Sequence, residues 1–218
     1  AYTVNITATN DAPIVQMPST AIYADTSAAD SFTAITANLI ATDAESDTLT
    51  YGISGGTLSG GIVSKLGTYG TLSINASSGS YTYTPNATAI EARKTATSES
   101  FTFTVSDGAL SVNTAYTVNI TATNDAPRLP APSPIIYLDT NGVDTFNAIL
   151  DIFRGFDREG DAKRYGIVGG LTAGNTVTKV GDYGTLRVNS YTGSYSFLPN
   201  QKAIEARSDA VIESFAVT

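Results

Sequence analysis

The chain contains neither cysteine nor histidine. Those two absences exclude thiol and imidazole catalysis, a disulfide framework and soft-metal sites of the zinc type. Tryptophan is missing too, methionine occurs once, and charged residues make up only 15% of the 218 positions. Basic residues are the scarcer sign, 12 against 20 acidic, for a net charge of −8. An acidic balance of this kind excludes nucleic acid and anionic membrane surfaces as natural partners and favours cations. No apolar run approaches membrane-spanning length and no leader segment is recognisable. Serine, threonine, valine, isoleucine, tyrosine and glycine dominate what remains, and that bias points to strands and turns.

Repetition organises the chain. "AYTVNITATNDAP" at Ala1–Pro13 recurs letter for letter at Ala115–Pro127, and "KLGTYGTLSINASSGSYTYTPNATAIEAR" from Lys65 to Arg93 answers "KVGDYGTLRVNSYTGSYSFLPNQKAIEAR" from Lys179 to Arg207 without a gap. From Ile14 to Thr104, nearly half of the positions are identical at the same interval. Two copies of one domain follow the tail of a third. The expected division is 1–9 as the last strand of a preceding repeat, 10–123 as repeat 1, and 124–218 as repeat 2 lacking its last strand. The chain opens in mid-strand and reads as a piece of a longer protein.

Within a copy the pattern alternates with period two. Phe101, Phe103 and Val105 share one face of "ESFTFTVSDG", as do Tyr116, Val118 and Ile120 of "AYTVNITAT". "SDGALS" reads as a hairpin turn with Asp107-Gly108 supplying positive φ, and Ser78-Gly79 as a second. Short strands separated by frequent turn signals predict an all-β fold of tandem antiparallel Greek-key β-sandwiches, with about seven strands per copy. The Gly-rich stretch "GISGGTLSGGIVSKLG" has no lysine-serine pair and no helix after it; it is read as a flexible strand connection rather than a phosphate loop.

Seven acidic residues of the first copy, Asp25, Asp30, Asp43, Glu45, Asp47, Glu91 and Glu99, all recur, as Asp139, Asp144, Asp157, Glu159, Asp161, Glu205 and Glu213. Solvated surface charges have no reason to recur so completely. Carboxylates gathered without histidine or cysteine suit a hard cation, and calcium, with 6–8 oxygen ligands in flexible geometry, suits them better than magnesium. Asp25 and Asp47, each followed by threonine, also fit ordinary turns. Asp30, Glu99 and Asp107 lean toward turn and loop roles.

The phrases "TATNDAP", "ATDAESDTLTYGI", "GTLSINASSGSYTYTP" and "ESFTFTVSDG" resemble bacterial cadherin-like repeats, including the VCBS repeats of RTX-type adhesins and rhizobial secreted adhering proteins. The resemblance covers nearly the whole chain and implies cadherin/immunoglobulin-like sandwiches with calcium at the joints between consecutive domains. It implies that Asp25 and Asp139 stand for the early acidic ligand. Asp43 and Glu45, and Asp157 and Glu159, stand for the "DAD" motif, with Asp47 and Asp161 beside them. Glu91 and Glu205 match the glutamate of "LDRE", and Asn10-Asp11 and Asn124-Asp125 match the linker motif. Ala8 and Ala122 replace that motif's first aspartate, which implies one or two ions per joint rather than three. The complete joint is expected to gather Asp25, Glu91, Asn124 and Asp125 with Asp157, Glu159 and Asp161.

The function so implied is non-enzymatic: a calcium-rigidified repeat of an extracellular bacterial adhesin, acting as a structural extender in cell adhesion or biofilm. Its partners would be neighbouring repeats, with bacterial exopolysaccharide or a cell surface beyond them. The alternative is a calcium-dependent polysaccharide-binding protein. Tyr23, Tyr51, Tyr69 and Tyr81 recur and are read as packing residues, Tyr69 being the one expected to be exposed. Arg93 and Arg207 are expected to pair with acids. Finally, Ala1–Thr9 matches the strand that repeat 2 lacks, which predicts head-to-tail self-association through residues 1–9.

Overall fold

The alternating apolar positions become the inner faces of a β-sandwich. The computed structural model describes residues 1–28 and 30–218, which divide into two units, Ala1–Asp125 and Ala126–Thr218.

In the first unit the chain forms β1 (Ile14–Val15), β2 (Ala21–Ala24), β3 (Ile35–Asn38), β4 (Ala41–Thr42), β5 (Thr50–Ile53), β6 (Thr57–Ser59), β7 (Ile62–Leu66), β8 (Gly70–Asn75) and β9 (Ser80–Pro85). A short helix α1 (Ala87–Glu91), β10 (Thr97–Ser106) and β11 (Ser111–Thr121) complete it. One sheet has the order β2-β11-β10-β5 and the other β3-β9-β8-β7-β6, with β1 and β4 paired beside them. The path leaves the first sheet at β5, builds four strands of the second, and returns at β10, which is a Greek-key route. β2 and β11 run parallel, and every other pair is antiparallel.

The core lies between the sheets. Phe101, Phe103, Val105, Tyr116, Val118 and Ile120 meet Leu72, Ile74, Tyr81 and Tyr83, all buried. The Tyr116 ring stands 5.4 Å from Tyr81 and 5.8 Å from Phe103, centroid to centroid. Such aromatic contacts add to the area term of burial.

Turn chemistry holds the hairpins. Asn75 Oδ1 accepts from the amides of Ser77 and Ser78 at 3.0 and 2.9 Å. Gly79 follows at φ 71°, where a Cβ would press on Leu39 O and Tyr51. The Gly-rich stretch is not a loose connection: β6 and β7 form a hairpin turned by Gly60 and Gly61, at φ 55° and 80°, as a primed two-residue turn requires. The helix α1 was not signalled by periodicity, being a single turn capped by the Asn86 side chain accepting from Ala89 N. It carries Glu91.

The second unit repeats one sheet fully: β12 (Ile149–Ile152), β13 (Leu171–Ala173), β14 (Thr176–Val180), β15 (Gly184–Asn189) and β16 (Ser194–Pro199), in the order β12-β16-β15-β14-β13, with α2 (Gln201–Glu205) after it. Its other sheet is reduced, among the described residues, to the bridge Ile167↔Val217. Its buried core is Phe153, Tyr165, Ile167, Val177, Leu186, Val188 and Phe197.

Residues 1–9, expected as a strand, form none, and Tyr2, Val4 and Ile6 are exposed. Their sequence twin is a strand because β10 and β2 bond it on both sides; among the described residues no strand pairs with 1–9.

Candidate metal centre

Asp25 lies just past β2 and Glu91 ends α1, so the strand and the helical turn bring two buried carboxylates to one end of the sandwich. Asp30 joins them. Its backbone N–H donates to Glu91 Oε1 at 3.0 Å, while its carboxylate accepts from the Thr26 amide and hydroxyl at 2.5 and 3.0 Å. One oxygen from each of Asp25, Asp30 and Glu91 lies within 4.8 Å of the others. A calcium ion about 2.3–2.6 Å from each ligand spans oxygen separations up to roughly 5 Å, so the spacing fits one ion.

The second unit builds the same trio from Asp139, Asp144 and Glu205. Asp144 N donates to Glu205 Oε1 at 2.8 Å, and Thr140 serves Asp144 as Thr26 serves Asp30. Here the three are half-buried. Asp30, read from sequence as leaning toward a turn or loop role, and its counterpart Asp144 therefore belong to the clusters. The signal that could have found them is their place in the recurring set of seven.

The linker residues start from this end of unit 1. Thr123 N donates to Asp25 Oδ2 at 3.1 Å, and Thr123 Oγ1 donates to Asp25 O at 2.9 Å. These bonds deliver Asn124, whose Nδ2 donates to Asp125 O, and the buried Asp125.

A second acidic group occupies the opposite pole of unit 1. Asn10 Nδ2 donates to Asp107 Oδ2 at 2.9 Å, and Asp11 N to Glu45 Oε2 at 3.3 Å. Asp43 Oδ1 accepts from the amides of Glu45 and Asp47 at 3.0 Å each. Asp43 Oδ2 is buried with no hydrogen-bond partner among the described residues, an orphaned oxygen suited to a cation. Asp107 is held below the ordinary carboxylate range by the Leu110 amide first and Asn10 second. Asp107 sits at the turn end of β10–β11 and Asp25 beside the far end of β11. Eleven residues of β11 at about 3.3 Å each put the two poles roughly 35 Å apart.

In the second unit Asp157 Oδ1 accepts from Asp161 N at 2.7 Å, and Glu159 is buried. These residues rebuild the Asp43 turn.

Glu99 has a different task. Its Oε2 accepts from the amides of Thr68 and Tyr69, and its Oε1 from Tyr83 Oη at 2.5 Å. Glu213 clasps Asp182 and Tyr183 in the same way. Tyr69 is half-buried rather than exposed, with the Arg93 guanidinium 5.7 Å from its ring centroid; Arg207 covers Tyr183 at 5.9 Å. These arginines thus stack on tyrosines, where cation–π attraction holds them.

Two facing sheets in Greek-key order, with acids at both poles, define a cadherin- and immunoglobulin-like sandwich. The profile of the bacterial cadherin-like domain matches residues 10–124, just over half of the chain. The chain belongs to that family, whose domains generally bind calcium and are typically extracellular modules of the adhesion type. Among solved structures it is similar to an endo-fucoidan hydrolase of glycoside hydrolase family 107, with 21% identity and a TM-score of 0.35, over 86% of this chain and 24% of that one. It is similar also to human protocadherin-24 EC1-2, at 16% identity and TM-score 0.34, over 88% of this chain and 79% of that one. Titin domains z1z2 in complex with telethonin follow at 11% identity and TM-score 0.33, over 88% and 83%. The chain spans about a quarter of the hydrolase's length. No curated protein matches it significantly. No helix among the described residues is long and apolar enough to cross a membrane.

Proposed function

We propose that the chain is a pair of calcium-stiffened extracellular repeats from a bacterial surface or secreted adhesin of the VCBS or RTX class, acting as a structural extender. The observation that carries this reading is the placement of acids at both poles of the first unit, with the Asp25–Asp30–Glu91 trio rebuilt as Asp139–Asp144–Glu205. A domain that offers carboxylates at each end suits a tandem array: an ion held at successive joints neutralises facing charges and removes hinge freedom. Sites of this extracellular kind need dissociation constants only on the order of 10⁻⁴–10⁻³ M.

The role is mechanical rather than enzymatic. The recurring acids divide among an ion cluster, a turn and a loop clasp, each with a structural task. The polysaccharide-binding alternative gains less support, since Tyr23, Tyr81, Tyr83 and Tyr116 are spent in the core. Calcium titration by calorimetry, with Asp125→Ala as the control, tests the reading. Heat of binding that is weakened at least tenfold by the substitution is expected, together with a narrower distribution of sizes in solution scattering when calcium is present. Scattering that chelator leaves unchanged would contradict it.

A further inference from the structure

The asparagines in the turns and caps of this fold are tied down. Asn75 and Asn189 each accept from two turn amides, and Asn86 and Asn200 cap the two helical turns. Asn141 is different. It lies outside every strand and helix, on the loop between Asp139 and Asp144, and it is followed by glycine, the one Asn-Gly pair in the sequence. No side-chain hydrogen bond holds it among the described residues. Asn141, Gly142 and Val143 are all exposed, Val143 at 97%. Ser27 and Ala28 occupy the two matching positions of the first unit and are exposed there as well, so the openness belongs to the loop itself.

That exposure has a chemical consequence. The main-chain nitrogen after an asparagine attacks the asparagine Cγ when nothing shields it, and glycine neither shields it nor restricts the rotation the attack needs. An added Cβ at Gly142 would meet only Thr140 Oγ1, at 3.8 Å, so the approach is uncrowded. The Gly142 N–H donates to Thr140 Oγ1 at 3.3 Å, longer than a usual bond of this kind and readily given up.

We infer that Asn141 is a self-modifying site, at which the second unit, and not the first, converts a side-chain amide into aspartate or isoaspartate as the protein ages. The Gly142 nitrogen gives its proton to water and bonds to Asn141 Cγ. The Cγ–Nδ2 bond breaks and ammonia leaves with a proton, closing a five-membered succinimide. Water then opens the ring. Cleavage between the Gly142 nitrogen and Cγ leaves aspartate; cleavage between that nitrogen and the main-chain carbonyl leaves isoaspartate, in which the chain runs through Cβ and Cγ. Nothing is oxidised or reduced, and water is the only co-reactant.

The loop transmits the change. Thr140 N and Oγ1 donate to the Asp144 carboxylate at 2.5 and 3.1 Å, and Asp144 N donates to Glu205 Oε1 at 2.8 Å. Isoaspartate inserts a methylene into the main chain inside the turn that Thr140 and Asp144 close. Either product also adds a negative charge beside Asp139 and Asp144, where like charges repel. Both changes work against the convergence of Asp139, Asp144 and Glu205. Under the calcium reading proposed above, on which this last step alone rests, the isoaspartate form of the second unit holds the ion more weakly while the first unit is unchanged.

The full 218-residue chain, kept warm at mildly alkaline pH in chelator, is expected to gain one mass unit at residue 141. Isoaspartate should be detected there by enzymatic methylation, and conversion should run at least tenfold faster than at any other asparagine. Gly142 has no positive φ, so Gly142→Ala is permitted by the backbone and should slow the conversion at least tenfold. Asn141→Ser, the first unit's residue, should remove it. In the aged chain, hydrogen-exchange protection of the Thr140 and Asp144 amides should fall at least threefold while Thr26 and Asp30 keep theirs. Calorimetry should show calcium binding at the second unit at least threefold weaker in the aged chain than in equally aged Asn141→Ser. A fresh chain that binds no calcium refutes the ion reading and leaves the modification standing. Conversion at residue 141 no faster than elsewhere, a rate unmoved by Gly142→Ala, or unchanged protection of Thr140 and Asp144 overturns the inference.

Discussion

Removing the Glu99 carboxylate tests how the two sheets and the loop before β8 are tied together. Glu99 accepts three hydrogen bonds, from the amides of Thr68 and Tyr69 and from the hydroxyl of Tyr83, a residue with 0% exposure. Hydrogen bonds to a charged acceptor contribute roughly 1.5–3 kcal/mol each when both partners are shielded. The Thr68 amide is on an exposed turn and can turn to water, so its share is small. The Tyr83 hydroxyl has no such recourse, and stranding it costs about 1–3 kcal/mol. Glu99→Ala is therefore expected to destabilise the first unit by about 3 kcal/mol, a fall of roughly 10 °C in its midpoint for a domain of this size.

The second repeat suggests the control. It has Phe197 where the first has Tyr83, and Glu213 nevertheless keeps its two loop amides. Tyr83→Phe should thus cost only about 1 kcal/mol, and once the hydroxyl is gone Glu99→Ala should cost less than it does alone. A double-mutant cycle in urea, followed by near-ultraviolet circular dichroism of the tyrosines, reads the coupling. At least about 1 kcal/mol is expected. If the two substitutions prove additive, the clasp does not join Glu99 to the core, and the account of this carboxylate as a structural tie is wrong.

Calcium at about 10 mM should stabilise each half-site-bearing unit by roughly 1.4–2.7 kcal/mol if its dissociation constant lies on the order of 10⁻⁴–10⁻³ M; Glu91→Gln should erase most of the resulting rise in midpoint, as measured by calorimetric scanning with and without chelator. Asp43→Asn keeps an Oδ1 acceptor for the amides of Glu45 and Asp47 but removes the charge, so the midpoint in chelator should hold while the gain from calcium shrinks. Ser46 sits at φ 64°, and its counterpart is Gly160 at φ 74°; Ser46→Gly should be neutral to stabilising by up to about 1 kcal/mol in urea unfolding. Burial raises the Tyr23, Tyr81, Tyr83 and Tyr116 hydroxyls above the ordinary tyrosine range, with the bond to Glu99 adding to the shift at Tyr83. Groups with raised folded pKa values stabilise fully below their unfolded value, so stability should decline as the pH climbs past about 10, with tyrosinate absorbance rising together with unfolding.

The sheets were legible because period-two alternation at Phe101, Phe103, Val105 and at Tyr116, Val118, Ile120 is a direct image of an inner face, and Gly79 and Gly108 mark turns that need positive φ. The helix α1 was not, since one turn from Ala87 to Glu91 is too short to show a 3.6-residue period. Nor was the β6–β7 hairpin, whose Gly60-Gly61 turn looks in sequence like mere flexibility. At the site, Asp25 and Glu91 were readable from their recurrence and their resemblance to ligand motifs. Asp30 was not, because what places it is a contact between its own amide and Glu91, sixty-one positions away along the chain. Arg93 was mispaired for the same reason: sequence shows many acids near it and cannot show the Tyr69 ring beneath it.

Recurrence of seven carboxylates suggested one cause, yet the structure gives them separate ones, and the distinction lies in how many oxygens the fold itself satisfies. Glu99 has both oxygens engaged by donors, one of them on a fully buried tyrosine; its recurrence as Glu213 needs no ion. Asp43 has one oxygen engaged by two amides and the other buried without a partner among the described residues. That half-satisfied state is what a ligand requires. The turn fixes the carboxylate before any ion arrives, so binding loses little side-chain entropy, while the remaining oxygen has lost water without gaining a donor. A carboxylate locked on one side and orphaned on the other is a poor stabiliser of its own domain and a good coordinator. It follows that ligand acids and structural acids in such repeats separate experimentally in opposite directions: structural ones lower stability in chelator, and ligand ones lower only what calcium adds.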